Sequence, residues 1–374
     1  MFKPKLFRTV VLSMILTAGG AGAPSAVLAQ SAVAAVPFSA ESSSIVPANG
    51  DLNPYAAAFV PPGFPAGGKI AAGDVLVTNF NNIKNLQGTG KTIVSLTPNG
   101  AVVPLTPAGQ KGTAKTFFTS SLGGLSTALG VLKGGFVIVG NLPTTDGTFA
   151  TVGQGALQVV NSKGVLVAKF TDASLLDSPW GLAVNDKGAT AQIFVTNAIS
   201  TKVTRLDLTV GSNTVTLVSK REIASGYAWE PNSGALVVGP TGLAYDSGTD
   251  TLYVASTDDN AIYSIAKAST TTAGGKGKLV YSDAAHLRGP VGLAQAPNGH
   301  LFAVNGDAIN ADPTHPSEIV EFTTGGKFIA ESNLDAAEGG GFGIGIAAVA
   351  GGVRIAAVDD VPNVVLVFTL PTVP

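Results

Sequence analysis

The sequence predicts an all-β protein folded as a six-bladed β-propeller with four-stranded blades, and three observations carry that prediction. After Asn53 there is no sustained helical periodicity, and short apolar strands alternate with Gly, Asn, Asp and Pro turns. A first-strand signature recurs, most plainly as Ser178-Pro179-Trp180-Gly181-Leu182-Ala183, Gly239-Pro240-Thr241-Gly242-Leu243-Ala244 and Gly289-Pro290-Val291-Gly292-Leu293-Ala294. A second strand that stops abruptly at a small polar residue recurs six times, roughly 50–60 residues apart, a unit long enough for four strands and one extended loop.

Composition agrees with this reading. Aliphatic and aromatic residues make up 45% of the 374 residues, enough to build a large core, and the 47 glycines and 22 prolines suit many tight turns. Charged residues are only 12%, which argues against a nucleic-acid binder, because phosphate neutralisation needs clustered Lys and Arg. There is no cysteine, so disulfides, thiolate metal sites and cysteine nucleophiles are all excluded.

Residues 1–29 read as an export signal. Lys3, Lys5 and Arg8 precede the short apolar stretch Val10–Ala18, and Val27-Leu28-Ala29 offers compact residues for cleavage. The stretch is short for a membrane span, which takes about 20 residues. An exported protein, periplasmic or extracellular, is therefore expected, with no transmembrane span in the mature chain. Residues 30–52, rich in Ala, Ser and Pro, read as a disordered leader, and residues 53–374 as the propeller.

The repeats can be placed in order. The second strands are Val75–Thr78 ending at Asn79, Phe136–Gly140 at Asn141, Ile193–Thr196 at Asn197, Leu252–Ala255 at Ser256, Leu301–Val304 at Asn305 and Ile355–Val358 at Asp359. Looser first-strand copies stand at Gly341–Ile346, at Leu125–Leu132 and near Phe64–Ile70. After Asp359 only one good strand remains, Val364–Leu370, so the last blade lacks its outer strand. The spare apolar segment Tyr55–Val60 is expected to supply it and close the ring by pairing the two ends of the chain.

The strands Gly-Leu-Ala, Leu-Tyr-Val-Ala-Ser and Asn-Ala-Ile-Tyr-Ser-Ile within Gly242–Ile265 resemble the NHL repeat and the wider group of six-bladed propellers that includes the SMP-30/gluconolactonase-like proteins. The resemblance covers most of Asn53–Leu370. It implies architecture more than activity, since such propellers host lactonases, lyases, synthases and binding scaffolds.

Candidate sites follow from the loop face on which the second strands end, because loops on a rigid scaffold carry binding residues. The polar strand ends form a ring in which a hard cation such as calcium would find oxygen ligands. SMP-30-like hydrolases are similar in placing a divalent metal at the channel mouth. On that resemblance Asn197, Asn305 and Asp359 stand where ligands would, Glu338 is a loose match for a Glu opening a first strand, and Asp258 lies two residues beyond Ser256. The plainer and preferred reading is that these residues end strands by bonding their own backbone. A second candidate is a stacking surface with a cation, built from Trp180, Tyr227, Trp229, His286 and Arg288, suited to a sugar or a small anion. No nucleophile elbow, Walker, zinc, EF-hand or dinucleotide motif is present, and Gly124-Leu125-Ser126-Thr127-Ala128 lacks the final Gly of an elbow.

The first expectation for function is a binding protein that takes a protein, glycan or small molecule on the channel-mouth face. The alternatives are a calcium-dependent lactonase- or esterase-like hydrolase or lyase of the SMP-30-like kind, and a structural envelope protein.

Overall fold

The computed structural model describes residues 40–97, 114–272, 274–311, 314 and 317–371. The export signal, most of the proposed leader, and His315 lie outside the described residues. After β1 (Glu41–Ser44), blade 1 is β2–β5 (Leu52–Phe59, Val75–Asn81, Thr92–Leu96, Lys115–Thr119) and blade 2 is β6–β9 (Leu125–Leu132, Phe136–Asn141, Ala156–Asn161, Leu166–Phe170). Blade 3 is β10–β13 (Pro179–Asp186, Thr190–Asn197, Lys202–Val210, Val215–Ser225), followed by a small hairpin, β14–β15 (Glu230–Asn232, Leu236–Val238). Blade 4 is β16–β19 (Pro240–Asp246, Thr251–Ser256, Ala261–Ala266, Lys278–Tyr281) and blade 5 is β20–β23 (Pro290–Gln295, Leu301–Asn305, Glu318–Phe322, Phe328–Asn333). Blade 6 is β24–β26 (Gly341–Val349, Gly352–Asp359, Val364–Pro371), with β1 as its fourth, outermost strand. All pairings within blades are antiparallel, with the first strand of each blade innermost. Among the described residues, no helix is long and apolar enough to cross a membrane.

The second strands are buried along almost their whole length, as in β3, β7 and β21, because a neighbouring blade covers each of their faces. This is why they read as unbroken apolar runs rather than as alternating ones. Outer strands such as β9 are mostly exposed or half-buried.

Ring closure differs from the sequence expectation in which segment performs it. β1 pairs with β26, Glu41 opposite Val367 through Ser44 opposite Val364. Tyr55–Val60 instead falls in and just after β2, the innermost strand of blade 1, and Phe64–Ile70 lies in the connection from β2 to β3. The segment read as a leader therefore contains a strand of the fold. Glu41–Ser44 is a short polar run without the apolar alternation that marks a strand; it is strand because an otherwise bare edge of β26 recruits it.

The glycine of the Gly-Leu-Ala signature has a steric cause. Near the axis, the innermost strands of adjacent blades approach backbone to backbone. A Cβ on Gly242 would lie 2.5 Å from the Leu293 amide nitrogen of the next blade, and one on Gly343 would collide with the Tyr55 carbonyl of blade 1. Each innermost strand also carries a register shift just after its start, for example between Pro179 and Leu182 and between Pro240 and Leu243. A proline there gives up no ladder hydrogen bond. Hydroxyls link the blades around the axis: Thr196 Oγ1 donates to the Thr241 carbonyl at 2.7 Å, and Thr78 Oγ1 to the Ser126 carbonyl at 3.0 Å.

Candidate functional site

The upper face, where first strands begin and second strands end, is closed at the axis. Phe80, Tyr55 and Phe342 form a continuous stack, with Tyr55 4.2 Å from each partner and near-parallel planes. Trp180 meets Tyr55 and Phe80 edge-on at 5.7 and 5.4 Å. The β14–β15 hairpin adds Leu236, Val237 and Val238 to the same apolar cluster. Its tip is fastened to blade 1, where Gln87 Nε2 donates to the Ser233 and Gly234 carbonyls, both at 2.9 Å. Below this plug the central channel is a blind cavity of about 740 Å³ that reaches the opposite face. Its lining is mostly Gly, Ala and branched aliphatics, with Arg354 and no carboxylate or histidine.

The polar ring does not converge there. Asn79 Nδ2 donates to the Ile45 carbonyl and to Thr92 Oγ1, and Asn141 Nδ2 to the Gly123 carbonyl. Asn197 Nδ2 donates to the Leu175 carbonyl and Thr204 Oγ1, and Asn305 Nδ2 to the His286 carbonyl and Glu318 Oε2. Each amide clasps the turn entering its own blade, and three of them also reach the residue that opens or closely follows the start of the third strand. The axis between them is filled by the aromatic plug. Asn197 and Asn305 thus tie the end of a second strand to the turn that enters the blade, and do not bond their own backbone as the sequence reading expected. Asp258 sits in a turn beside Glu230, Asp259 and Lys276, its pKa raised by burial and by those two acids. Glu338 is exposed in the turn before β24. Among the described residues, no three His, Asp or Glu side chains converge as a shared metal ion would require.

The proposed stacking surface is not assembled either. Trp180 is 1% exposed and belongs to the plug. Tyr227 is buried and donates to the Lys276 carbonyl at 3.0 Å. Trp229 is 37% exposed and leans on Phe149. His286 stacks on Phe328 and bonds Glu331 at 2.7 Å. Arg288 is buried, donating to the Ala285 and Asn310 carbonyls, with Nε 3.8 Å from Glu318 Oε1. These side chains belong to separate packing arrangements of blades 3 to 5.

What the upper face does present is a cleft of about 350 Å³ between blades 1 and 6, lined by Leu52, Asn53, Asn81, Asn85, Gln87, Gly234, Asp360, Val361 and Asn363. The turn after β25 places Asp360 there, its amide held by the Gly340 carbonyl at 2.8 Å. Asn363, which closes that turn, accepts from the Asn53 amide at 2.7 Å and so ties blade 6 to blade 1. Asn53, Asn85 and Asn363 all adopt positive φ, at 62°, 57° and 59°. Such backbone suits Asn better than most side chains, and it concentrates at functional sites. Asn81, 2% exposed, donates to Asn85 Oδ1 at 2.7 Å, yet its own Oδ1 is buried without a partner. The Tyr55 hydroxyl is buried beside the Asn53 side chain. Its pKa is raised by burial and then by Asp360.

Behind the cleft Asp335, Asp359 and Asp360 crowd together. Burial, then Asp335, pushes Asp359 up to about 7, and the two carboxyls are hydrogen-bonded. Burial, then Asp359 and Asp335, pushes Asp360 up to about 8. In blade 5 burial lifts Glu318 to about 7, with Asp307 adding to it; Arg288 is too far away for a hydrogen bond that would reverse this. The sequence reading reached Asp359 but missed Asp335, Asp360, Asn53, Asn81, Asn85 and Glu318. The Asp359-Asp360 doublet was the available signal; only the first member falls on the repeat position.

The fold is that of a six-bladed propeller, and solved structures share it. A gluconolactonase of Xanthomonas campestris shares this fold at 11% identity with a TM-score of 0.52, over 89% of this chain and 90% of that one. A luciferin-regenerating enzyme superposes at 9% identity with a TM-score of 0.48, over 89% and 96% of the two chains. The calcium-binding protein regucalcin of Agrobacterium tumefaciens superposes at 14% identity with a TM-score of 0.46, over 86% and 91%. No protein-family model and no curated protein matches the sequence. The expectation of a binding protein is corrected here: the neighbour that superposes best among these is described as a gluconolactonase, and the stacking surface on which that expectation leaned is not assembled.

Proposed function

We propose that the protein is a hydrolase of small lactones or esters acting in the cleft between blades 1 and 6. The observation that carries this is the pairing of one half-buried carboxyl, Asp360, with a wall that includes the amides of Asn53 and Asn85. The fold shared with a gluconolactonase supports the same class. In this reading the ionised form of Asp360, which dominates as pH rises above about 8, takes a proton from the attacking water, the new C–O bond forms as the lactone or ester C–O bond breaks, and the proton passes to the leaving alkoxide. Amide N–H groups on the facing wall hold the carbonyl oxygen as it gains charge. Asp359 and Asp335 are positioning residues that set the electrostatics behind Asp360.

A divalent cation of the kind the regucalcin neighbour is described as binding does not fit the axial position, which the Tyr55–Trp180 plug fills, and no step is assigned to one there. Export is part of the proposal and is supported by the signal read in residues 1–29; N-terminal sequencing of secreted protein tests it. Turnover is tested with a panel of five- and six-membered lactones and nitrophenyl esters. Hydrolysis by the wild type and a fall of about 10²–10⁴-fold in Asp360→Asn are expected. Equal rates in both would remove Asp360 from the chemistry, and no hydrolysis across the panel would end the reading.

A further inference from the structure

The central channel is a compartment of its own, because the plug of Tyr55, Phe80, Trp180 and Phe342 closes its upper end. Its volume of about 740 Å³ falls in the range of sites that enclose a whole small ligand, about 300–1,000 Å³. Every blade contributes to the wall through its innermost strand, with Ala57, Leu129, Leu182, Leu243, Leu293 and Ile344 as examples. Polar side chains reach the channel at Thr127, Tyr245, Gln295 and Arg354. The first three are neutral. Thr127 Oγ1 donates to the Trp180 carbonyl, the Tyr245 hydroxyl to Asp250 at 2.9 Å, and Gln295 Nε2 to the Gly299 carbonyl at 3.3 Å. Among the described residues that line the channel, Arg354 is the only charged one.

Arg354 stands at the end of the channel away from the plug. It is half-buried on β25 and pairs with Ala347, which lies five positions beyond the plug residue Phe342 on β24. At about 3.3 Å per residue, charge and plug occupy levels of the wall about 17 Å apart. An aliphatic wall with a single cation near its rim sets two requirements for an occupant. It must have apolar surface that gains by leaving water, and it must carry one negative charge at the end remote from the plug. A sugar fails the first requirement, because these walls leave most of its hydroxyls without partners. A carboxylate meets the second, because the guanidinium fork can hold it with two parallel N–H bonds. We propose that the channel binds a medium-chain aliphatic carboxylate, its tail toward the plug and its head group at Arg354. The site opens on the face opposite the cleft and does not depend on the hydrolase reading.

The experiment uses the full chain, stripped of bound lipid on a hydrophobic resin, and titrates it calorimetrically with octanoate, decanoate and dodecanoate below their micellar concentrations. Saturable binding is expected, tightening about fourfold for each added methylene as its surface is buried. Decanol, with the tail of decanoate and no charge, should bind about 10–100-fold more weakly than decanoate. Arg354→Gln should lose a similar factor for decanoate and leave decanol unchanged, and Arg354→Lys, which keeps the charge without the fork, should fall between. Ala348→Trp, at an exposed position near the end of β24, should weaken every member of the series by narrowing the entrance. Circular dichroism and the unfolding midpoint check that each variant is folded. A wild type without saturable dodecanoate binding overturns the site, and so does binding that Ala348→Trp leaves intact. Arg354→Gln that holds decanoate as tightly as wild type, or decanol that binds as tightly as decanoate, overturns the assignment of a carboxylate. No arm reads turnover, so this result and that of the lactone panel stand or fall separately.

Discussion

Tyr55 and Phe342 lie face to face, ring centroids 4.2 Å apart and planes 10° from parallel, although one ring opens the first blade and the other the last. With Phe80 and Trp180 they seal the upper end of the channel at the point where an axial ligand would enter. Tyr55, Trp180 and Phe342 stand near the starts of innermost strands, and Phe80 near the end of the second strand β3. Changing the residue type there changes whether a propeller of this fold has an open mouth.

Trp180→Ala should be among the most damaging single substitutions. It removes a fully buried ring that touches both Tyr55 and Phe80, and large-to-small changes of this kind cost about 3–5 kcal/mol. Chemical denaturation should show an earlier midpoint with little change in slope. A cost below about 1 kcal/mol would mean that the plug does not hold the blades together.

Gly242→Ala tests the close approach of innermost strands. The added methyl carbon would sit 2.5 Å from a backbone nitrogen of blade 5, and backbone cannot rotate aside. Overpacking costs about 1–3 kcal/mol, more when the obstacle is rigid. The same change at Gly188, where a Cβ meets nothing within 4 Å, reports only the strain of its φ of 82°. Comparing the two unfolding curves separates crowding from backbone strain.

Glu318 gives stability a pH dependence of known sign. Its folded-state pKa of about 7 lies above the ordinary carboxyl value, so the folded protein holds this proton more tightly than the unfolded chain does. Its contribution is complete below about pH 4, where both states are protonated, and is lost as pH rises through 7. Glu318→Gln, which still accepts from Asn305, should flatten the stability profile between pH 5 and 8. An unchanged slope would show that Glu318 ionises normally in the folded protein.

Deleting residues 40–46 should leave β26 as an exposed apolar edge. The blade would keep three strands, and Val365 and Val367 would lose their neighbours in β1. Lower yield, a concentration-dependent loss of solubility and an earlier unfolding midpoint are expected, read by light scattering and denaturation.

The architecture was legible in the sequence because it repeats. Gly181, Gly242 and Gly292 each recur for the same steric reason, and the second strands stop where the face begins, so six units could be counted without structure. The closing strand was not legible: Glu41-Ser42-Ser43-Ser44 carries no apolar pattern, and its conformation is decided by the edge of β26 rather than by its own residues. The site was hidden for the opposite reason. Repeat positions such as Asn197 and Asn305 drew attention because they recur, and recurrence here marks a clasp used in blade after blade. The cleft is built from residues that occur once, Asp360, Asn81 and Asn53, drawn from the two ends of the chain. Trp180 and Arg288 look like ligand-binding residues in a string of letters, and only packing reveals that one fills the axis and the other is enclosed within blade 5.

The pairing of β1 with β26 also bears on when this molecule can exist at all. Asn53 and Asn363, joined by a hydrogen bond beside that pairing, stand 310 residues apart. The strand that finishes the last blade leaves the ribosome first and must wait, unpartnered, until nearly everything after it has been made. During that interval five blades can form, but the circle stays open and so does the cleft, whose walls come from both ends. A chain interrupted before its final strand is a set of blades whose circle cannot be closed.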